Sequence, residues 1–177
     1  MSVNKKKIPT FIAKDIYSIP LSFYFEHGYK IILTDLDNTL ANYKTKLPDE
    51  RTIALINALK KEGFDVYIAS NNTNKRVSDF AKACGVESIH GMKKPFSHGL
   101  VHFIKEKGFN PKEVIYIGEQ IYTDVLCAKG AGVDVVLTEP ITKKDAPWTR
   151  INRLREKKAR KIIWENNLSE RIGYEQN

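Results

Sequence analysis

Lys30-Ile31-Ile32-Leu33-Thr34-Asp35-Leu36-Asp37-Asn38-Thr39-Leu40 is the stretch on which the fold turns. Apolar Ile31, Ile32 and Leu33 predict a buried strand, and two aspartates appear at its C-terminal end with one residue between them. Side chains repeat every second residue along a strand, so Asp35 and Asp37 are expected on the same side. Two crowded carboxylates repel each other and lose hydration, which calls for a cation between them. Taken alone, the stretch also reads as an ordinary strand entering an Asx-type turn. The other strand ends decide between the two.

Downstream, Pro48-Asp49-Glu50 opens a helix with Ile53, Leu55, Ile56 and Leu59 on its apolar face, and Gly63 closes it. Val66–Ala69 is a second buried strand ending in Ser70-Asn71-Asn72. A helix over Asn74–Ala83, a weak strand at Glu87–His90 and a helix over Ser97–Lys107 follow. Val114–Ile117 is the fourth strand, Tyr122–Lys129 is helical, and Val133–Leu137 is the fifth strand. Continuous apolar runs alternating with amphipathic helices predict an α/β, Rossmann-like three-layer sandwich around a central parallel sheet of about five strands. Ligands bind such sheets beyond the carboxyl ends of the strands. Asp35, Asp37, Ser70, Asn71 and Glu119 all follow strands directly and are therefore expected along one edge.

Residues 30–140 form the expected core. Residues 1–29 are expected as an extension packing on it, with Ile12, Ile16, Ile19 and Phe23 forming a short amphipathic helix broken by Pro20. Residues 141–177 are expected as a basic helical segment. The chain has 177 residues and a formal charge of +8, but Lys143–Lys161 alone holds nine Lys or Arg against Asp145 and Glu156. From Thr149 onward Ile151, Leu154, Ile162 and Ile163 fall at helical spacing, surrounded by Arg150, Arg153, Arg155, Lys157, Arg160 and Lys161, with Lys158 interrupting the stripe. Three readings stand for this tail: a helix packed on the domain with a solvated charged face, a helix on an anionic membrane surface, or a nucleic-acid contact with only Trp148 and Trp164 as aromatic platforms. No apolar run reaches the roughly 18–20 residues of a membrane span. Pro9, Lys14, Asp15 and Pro20 interrupt any signal-peptide core after Lys5-Lys6-Lys7, so a cytoplasmic protein is expected, peripheral on the inner membrane face if the tail acts there. Cys84 and Cys127 lack metal-type spacing and read as buried free thiols. None of His27, His90, His98 and His102 falls in a motif.

Asp35-Leu36-Asp37-Asn38-Thr39, strand-terminal Ser70, Lys94 in Lys93-Lys94-Pro95, and Gly118-Glu119-Gln120-Ile121-Tyr122-Thr123-Asp124 resemble the four motifs of the haloacid dehalogenase (HAD) superfamily. More narrowly, Ser70–Val77, the Lys94-Pro95 pair, the fourth motif and Arg150-Ile151-Asn152-Arg153 resemble the YqeG-like subfamily, grouped with phosphatidylglycerophosphate phosphatases of mitochondria and cyanobacteria. The resemblance covers roughly residues 10 to 160. It implies that Asp35 attacks phosphorus to form an aspartyl-phosphate, and that Asp37 protonates the leaving group and then deprotonates water. Ser70, the Asn71 backbone and Lys94 would hold the phosphoryl oxygens, and Thr39 would order the first loop from behind. Mg²⁺ is the implied cofactor, with the Asp35 carboxylate, the Asp37 carbonyl and an acid of the fourth motif as ligands.

Glu119 departs from the family pattern, which has Asp there. The extra methylene would carry its carboxylate past a rigid octahedral position by about an ångström. The backbone could adjust, Asp124 could take over as metal ligand, or metal affinity and rate could fall. About 30 residues separate Asp37 from Ser70 and about 24 separate Ser70 from Lys94, which leaves no room for a cap domain. An open site suits a bulky phosphorylated substrate such as a phospholipid headgroup. The alternatives are a soluble sugar phosphate or nucleotide, or a non-catalytic binding protein that uses the fold as a platform, and the Asp35/Asp37 pair argues against the last.

Overall fold

The computed structural model describes residues 4–71, 75–142 and 150–174, with side chains of the last helix described from residue 156 onward. Seven strands form one parallel sheet: β1 (Phe11–Ala13), β2 (Ile31–Thr34), β3 (Asp65–Ala69), β4 (Glu87–Ile89), β5 (Val114–Gly118), β6 (Asp134–Thr138) and β7 (Glu170–Ile172). Their order across the sheet is β4-β3-β2-β5-β6-β1-β7. The sheet therefore has seven strands rather than about five. The two additional ones are three-residue segments drawn from the regions read as an N-terminal extension and a basic tail. They pair with each other, Phe11 opposite Glu170, and β1 pairs with β6, Phe11 opposite Val136.

The helices are α1 (Leu21–Glu26), α2 (Glu50–Lys61), α3 (Lys75–Ala83), α4 (His98–Lys107), α5 (Leu126–Gly130) and α6 (Arg150–Glu165). They divide between the two faces of the sheet. Ile32, Ile68, Ile115, Ile117 and Val136 pack with Phe23 and Tyr24 of α1, Ile56 and Leu59 of α2, and Phe80 of α3. Ile31, Leu33, Tyr116 and Val135 pack with Leu100 and Ile104 of α4, Ala128 of α5, and Ala159 and Ile163 of α6. Alternate residues of one strand thus feed opposite cores, which is why the central strands are apolar at every position.

Local chemistry sets the helix ends. Asp49 caps α2 by accepting from the Thr52 amide at 2.8 Å and the Thr52 hydroxyl at 2.6 Å. Gly108 closes α4 in the left-handed region at φ 69°. Pro20 starts α1 instead of breaking a helix, because a residue without an amide hydrogen is tolerated where that hydrogen would have no partner. The Ile12, Ile16, Ile19 and Phe23 spacing accordingly spans a strand, a 3₁₀ turn (Ile16–Ser18) and α1.

The direction in which successive strands are added to the sheet reverses between β2 and β5. From β2 the chain builds outward through β3 and β4, then crosses to β5 on the other side and continues to β6. Adjacent strands whose connections depart in opposite directions leave a crevice at their carboxyl ends. Asp35 and Glu119 follow the two strands that border it. Among the described residues no element intervenes between β2 and α2, only α3 lies between β3 and β4, and no helix is long and apolar enough to cross a membrane.

Candidate active site

Lys94 is the hub of the crevice. Its Nζ donates to Asp35 Oδ1 at 2.6 Å, Asp124 Oδ1 at 2.8 Å and the Tyr116 hydroxyl at 3.0 Å. Asn71 sets the backbone from which that side chain departs: its Oδ1 accepts from the Lys94 amide at 2.7 Å and its Nδ2 donates to the Lys94 carbonyl at 3.1 Å. A loop asparagine thus fixes a lysine 23 residues later. Burial pulls the Lys94 ammonium down, but Asp124 and Asp35 outweigh it and hold the group well above its ordinary range. Burial pushes the Asp35 carboxyl above the usual carboxylate range, Lys94 pulls it back, and Asp124 and Asp37 add to the push. One ammonium shared by two buried carboxylates leaves a negative excess.

Asp37 stands further out. Its side chain is 28% exposed, and Oδ1 is paired with the guanidinium of Arg76 in the first turn of α3. Arg76 also donates to the Thr45 carbonyl at 2.6 Å. Asn38 adopts the left-handed conformation at φ 61°, donates to the Ala41 carbonyl at 2.7 Å, and so turns the chain sharply after Asp37. Thr39 is buried behind this turn, but its hydroxyl has no hydrogen-bond partner among the described residues.

Ser70 is buried at the end of β3, its amide donating to the Ile89 carbonyl at 3.1 Å, and Asn71 follows at the surface. Across the crevice, Asp124 Oδ2 accepts from the amides of Glu119 at 3.1 Å and Gln120 at 3.0 Å. With Oδ1 on Lys94, Asp124 clamps the fourth-motif loop to that lysine. Gly118 makes the clamp feasible, since a Cβ there would lie 2.5 Å from the Asp124 side chain. Glu119 is buried, and Gln120 Nε2 donates to its Oε1 at 3.0 Å.

Helix α6 reaches the same loop. The Arg160 guanidinium donates to the Glu119 carbonyl, to the Thr138 carbonyl at 3.0 Å, and pairs with Glu139 Oε1 at 3.1 Å. One turn earlier, buried Glu156 accepts from the Tyr122 amide at 3.2 Å. Arg160 therefore does not belong to a solvated basic face. Lys157, Lys158 and Lys161 are exposed, while Lys143, Lys144, Trp148 and Thr149 lie outside the described residues, as do the side chains of Arg150, Ile151, Arg153, Leu154 and Arg155.

The crevice brings Asp35, Lys94 and Asp124 into direct contact and seats Ser70, Asn71, Asp37 and Glu119 on adjoining loops. Four residues with contacts here were assigned no role by the motifs: Tyr116, Arg160, Glu156 and Arg76, the last although it lies within Ser70–Val77. A phenol inside the apolar run Val114-Ile115-Tyr116-Ile117 was the available signal for the first, because a buried hydroxyl needs a partner. Membership of the Ser70–Val77 segment was the signal for Arg76, and nothing local distinguishes Arg160 and Glu156 from surface charges.

The acids outnumber the cations. Asp35, Asp37, Glu119 and Asp124 face Lys94 and Arg76, an excess of two negative charges among these six side chains. Among the described residues no three His, Cys, Asp or Glu side chains stand close enough to hold an ion unaided. A small hard divalent cation takes one or two carboxylates and completes its shell with carbonyl, water and phosphate oxygens, so the donor set fits one.

Comparison with known proteins agrees with this geometry. Residues 1–142 match the family described as mitochondrial PGP phosphatase. The Bacillus subtilis (strain 168) protein named "Probable phosphatase YqeG" is 30% identical over 151 residues, covering 85% of this chain and 88% of that one. Phosphatidylglycerophosphate phosphatase 1 of Arabidopsis thaliana is 26% identical over 152 residues, 80% of this chain and 43% of that longer one. Among solved structures, a haloacid dehalogenase-like hydrolase from Bacteroides fragilis superposes with a TM-score of 0.55 at 20% identity, covering 65% of this chain and 90% of that one. The 3-deoxy-D-manno-octulosonate 8-phosphate phosphatase of Moraxella catarrhalis, solved with magnesium and phosphate ions, gives 0.51 at 17% identity over 77% of this chain and 90% of that one. Since the family match takes in β1 through β6 and the relatedness to one phosphatase runs nearly end to end, this chain belongs to the PGP phosphatase family of HAD-superfamily phosphatases, in its YqeG-like branch.

Proposed function

We propose that this phosphatase hydrolyses phosphomonoesters through an aspartyl-phosphate on Asp35, with phosphatidylglycerophosphate as its substrate. The observation that carries the reading is the 2.6 Å contact of Lys94 Nζ with Asp35 Oδ1 at the switch point of the sheet. A carboxylate held there by a fixed ammonium has one oxygen oriented and the other available to attack. Asp35 attacks phosphorus, the bond from phosphorus to the ester oxygen breaks, and Asp37 gives its proton to the departing alkoxide. Asp37, now a carboxylate, takes a proton from water as the water oxygen attacks phosphorus, which releases inorganic phosphate and regenerates Asp35. Lys94, Ser70 and the Asn71 backbone steady the phosphoryl oxygens through both steps. When bound, Mg²⁺ would be held by the Asp35 carboxylate, the Asp37 carbonyl and Glu119, and would neutralise phosphate and nucleophile together.

Two features support a large substrate. The site is uncapped among the described residues. A groove of about 500 Å³ also opens beside the first loop, apolar at Leu40, Ala41 and Ile141 and of mixed charge at Lys14, Asp15 and Arg51. We also propose peripheral contact with anionic membrane through the exposed lysines of α6, each worth about 1 kcal/mol near such a surface before screening. Lys157, Lys158 and Lys161 changed together to Glu should lose sedimentation with phosphatidylglycerol vesicles and keep hydrolysis of a soluble ester. Unchanged sedimentation would take the contact away from α6.

The substrate is tested by comparing kcat/KM for phosphatidylglycerophosphate in detergent micelles with that for sugar phosphates and nucleotides, with and without Mg²⁺. Preference for the lipid and dependence on the ion are expected. Preference for a soluble ester would replace the substrate and keep the chemistry. Absence of hydrolysis of any ester would return the chain to a binding platform.

A further inference from the structure

We infer that Arg76 is a positioning residue for Asp37, aiming its carboxyl at the leaving-group oxygen; the inference rests on the phosphatase reading above. Asp35 needs no such help, because Lys94, Asp124 and Tyr116 surround it in a buried cluster. Asp37 lies beyond the end of β2, and its side chain is more than twice as exposed, at 28% against 12%. Its backbone is fixed by a tight turn that closes back on Leu36: the amides of Leu40 and Ala41 both donate to the Leu36 carbonyl at 3.1 Å. Backbone closure by itself leaves a side chain its choice of rotamer.

Arg76 removes that freedom from outside the turn. It projects from α3, a rigid element, and its own side chain is 15% exposed. One terminal nitrogen holds the Thr45 carbonyl and the other holds Asp37 Oδ1. The fork of a guanidinium spans both acceptors at once, so the carboxyl is set relative to the first loop and to α3 together. Lysine carries the charge without the fork.

Proton donation to a leaving group depends on direction and matters in proportion to how poor that leaving group is. A 4-nitrophenolate leaves without assistance because the ring delocalises its charge, whereas an alkoxide must be protonated as it departs. Misaiming Asp37 should therefore spare the first phosphoryl transfer from aryl esters and penalise that from alkyl esters, while its weakened action as base in the second step falls on both alike.

The test uses the full chain, with 4-nitrophenyl phosphate and phosphatidylglycerophosphate in micelles as the two probes. In single-turnover mixing, which reads leaving-group release before the aspartyl-phosphate is hydrolysed, Arg76→Met is expected to slow release of the alcohol from the alkyl ester by about 10- to 100-fold, part of the 10²–10⁴ that a positioned acid supplies. Release of 4-nitrophenolate is expected to stay within about threefold, as is KM for both, because the phosphate-holding residues are untouched. Arg76→Lys should recover part of the alkyl rate, and Asp37→Asn measured in parallel should show the same selectivity in stronger form. An equal loss on both esters, or a change confined to KM, would overturn the inference and make Arg76 a structural or phosphate-binding residue. If Asp37→Asn itself showed no selectivity between the esters, the general-acid reading of Asp37 would fall, and Arg76 with it. Where Arg76→Met does not fold by circular dichroism, the Lys variant decides by the same ratio of rates.

Discussion

At the residue scale the site is governed by one buried ammonium between two acids. Removing one member of such a cluster leaves charge without compensation, which costs about 3–5 kcal/mol. Lys94→Met is therefore expected to destabilise the protein by that order in urea unfolding and to abolish phosphatase activity; unchanged stability would show that Lys94 is not buried between Asp35 and Asp124. Gly118→Ala places a methyl 2.5 Å from the Asp124 side chain, and a forced core substitution of this kind costs about 1–3 kcal/mol. Its activity should fall together with its stability, because Asp124 holds Lys94 and the Glu119 amide in one grip. A variant as stable and active as the parent would contradict that close approach. The acid pair and Lys94 were legible because spacing and motif order carry them. Tyr116 and Arg76 were not, since a strand tyrosine and a helix arginine acquire their roles only from what the fold sets 22 and 39 residues away.

At the scale of elements, α6 is the unexpected part. Its sequence is dominated by basic residues, and charge density alone suggests a surface helix. The fold instead turns Ala159 and Ile163 into one core layer and sends Glu156 and Arg160 to opposite ends of the segment 119–122. This helix lies beyond the residues that match the family, 1–142, yet it braces the loop that carries Glu119. Outer partners of metal ligands typically contribute 10- to 100-fold in metal affinity. Arg160→Gln should therefore raise the Mg²⁺ concentration for half-maximal rate by roughly 10-fold and weaken Mn²⁺ binding measured directly by electron paramagnetic resonance. Glu119→Asp should keep or lower that Mg²⁺ requirement, and Glu119→Ala should raise it. Identical ion dependence in all of these would mean that Glu119 is not a ligand. Strands β2 to β6 and the helices between them were legible from apolar runs and Gly, Pro and Asp punctuation. Strands β1 and β7 were not, because three residues are too few to show a period, and each is defined by its neighbour rather than by its own pattern.

At the scale of the whole molecule, the parallel sheet makes the site by reversing the direction in which successive strands are added between β2 and β5. The α/β class and the strand-end edge on which the motifs converge could be read from order and spacing. The pairing of the two chain ends at the far edge of the sheet could not, because it depends on contacts between residues about 160 apart. The same burial that builds the two cores leaves Cys84 and Cys127 as free thiols with their pKa raised to about 11. Since a raised thiol pKa keeps the unreactive protonated form, neither should be alkylated quickly by iodoacetamide at a pH of about 8 until the protein is unfolded. Rapid modification of the native chain would show that a core is open. All of the chemistry converges on Asp35 becoming covalently bound to phosphorus. Enzyme quenched during turnover, reduced with borohydride and digested should yield a peptide in which Asp35 has become homoserine, with no such product from Asp35→Asn. Reduction at a different residue, or full turnover by Asp35→Asn, would contradict the assignment of Asp35 as nucleophile.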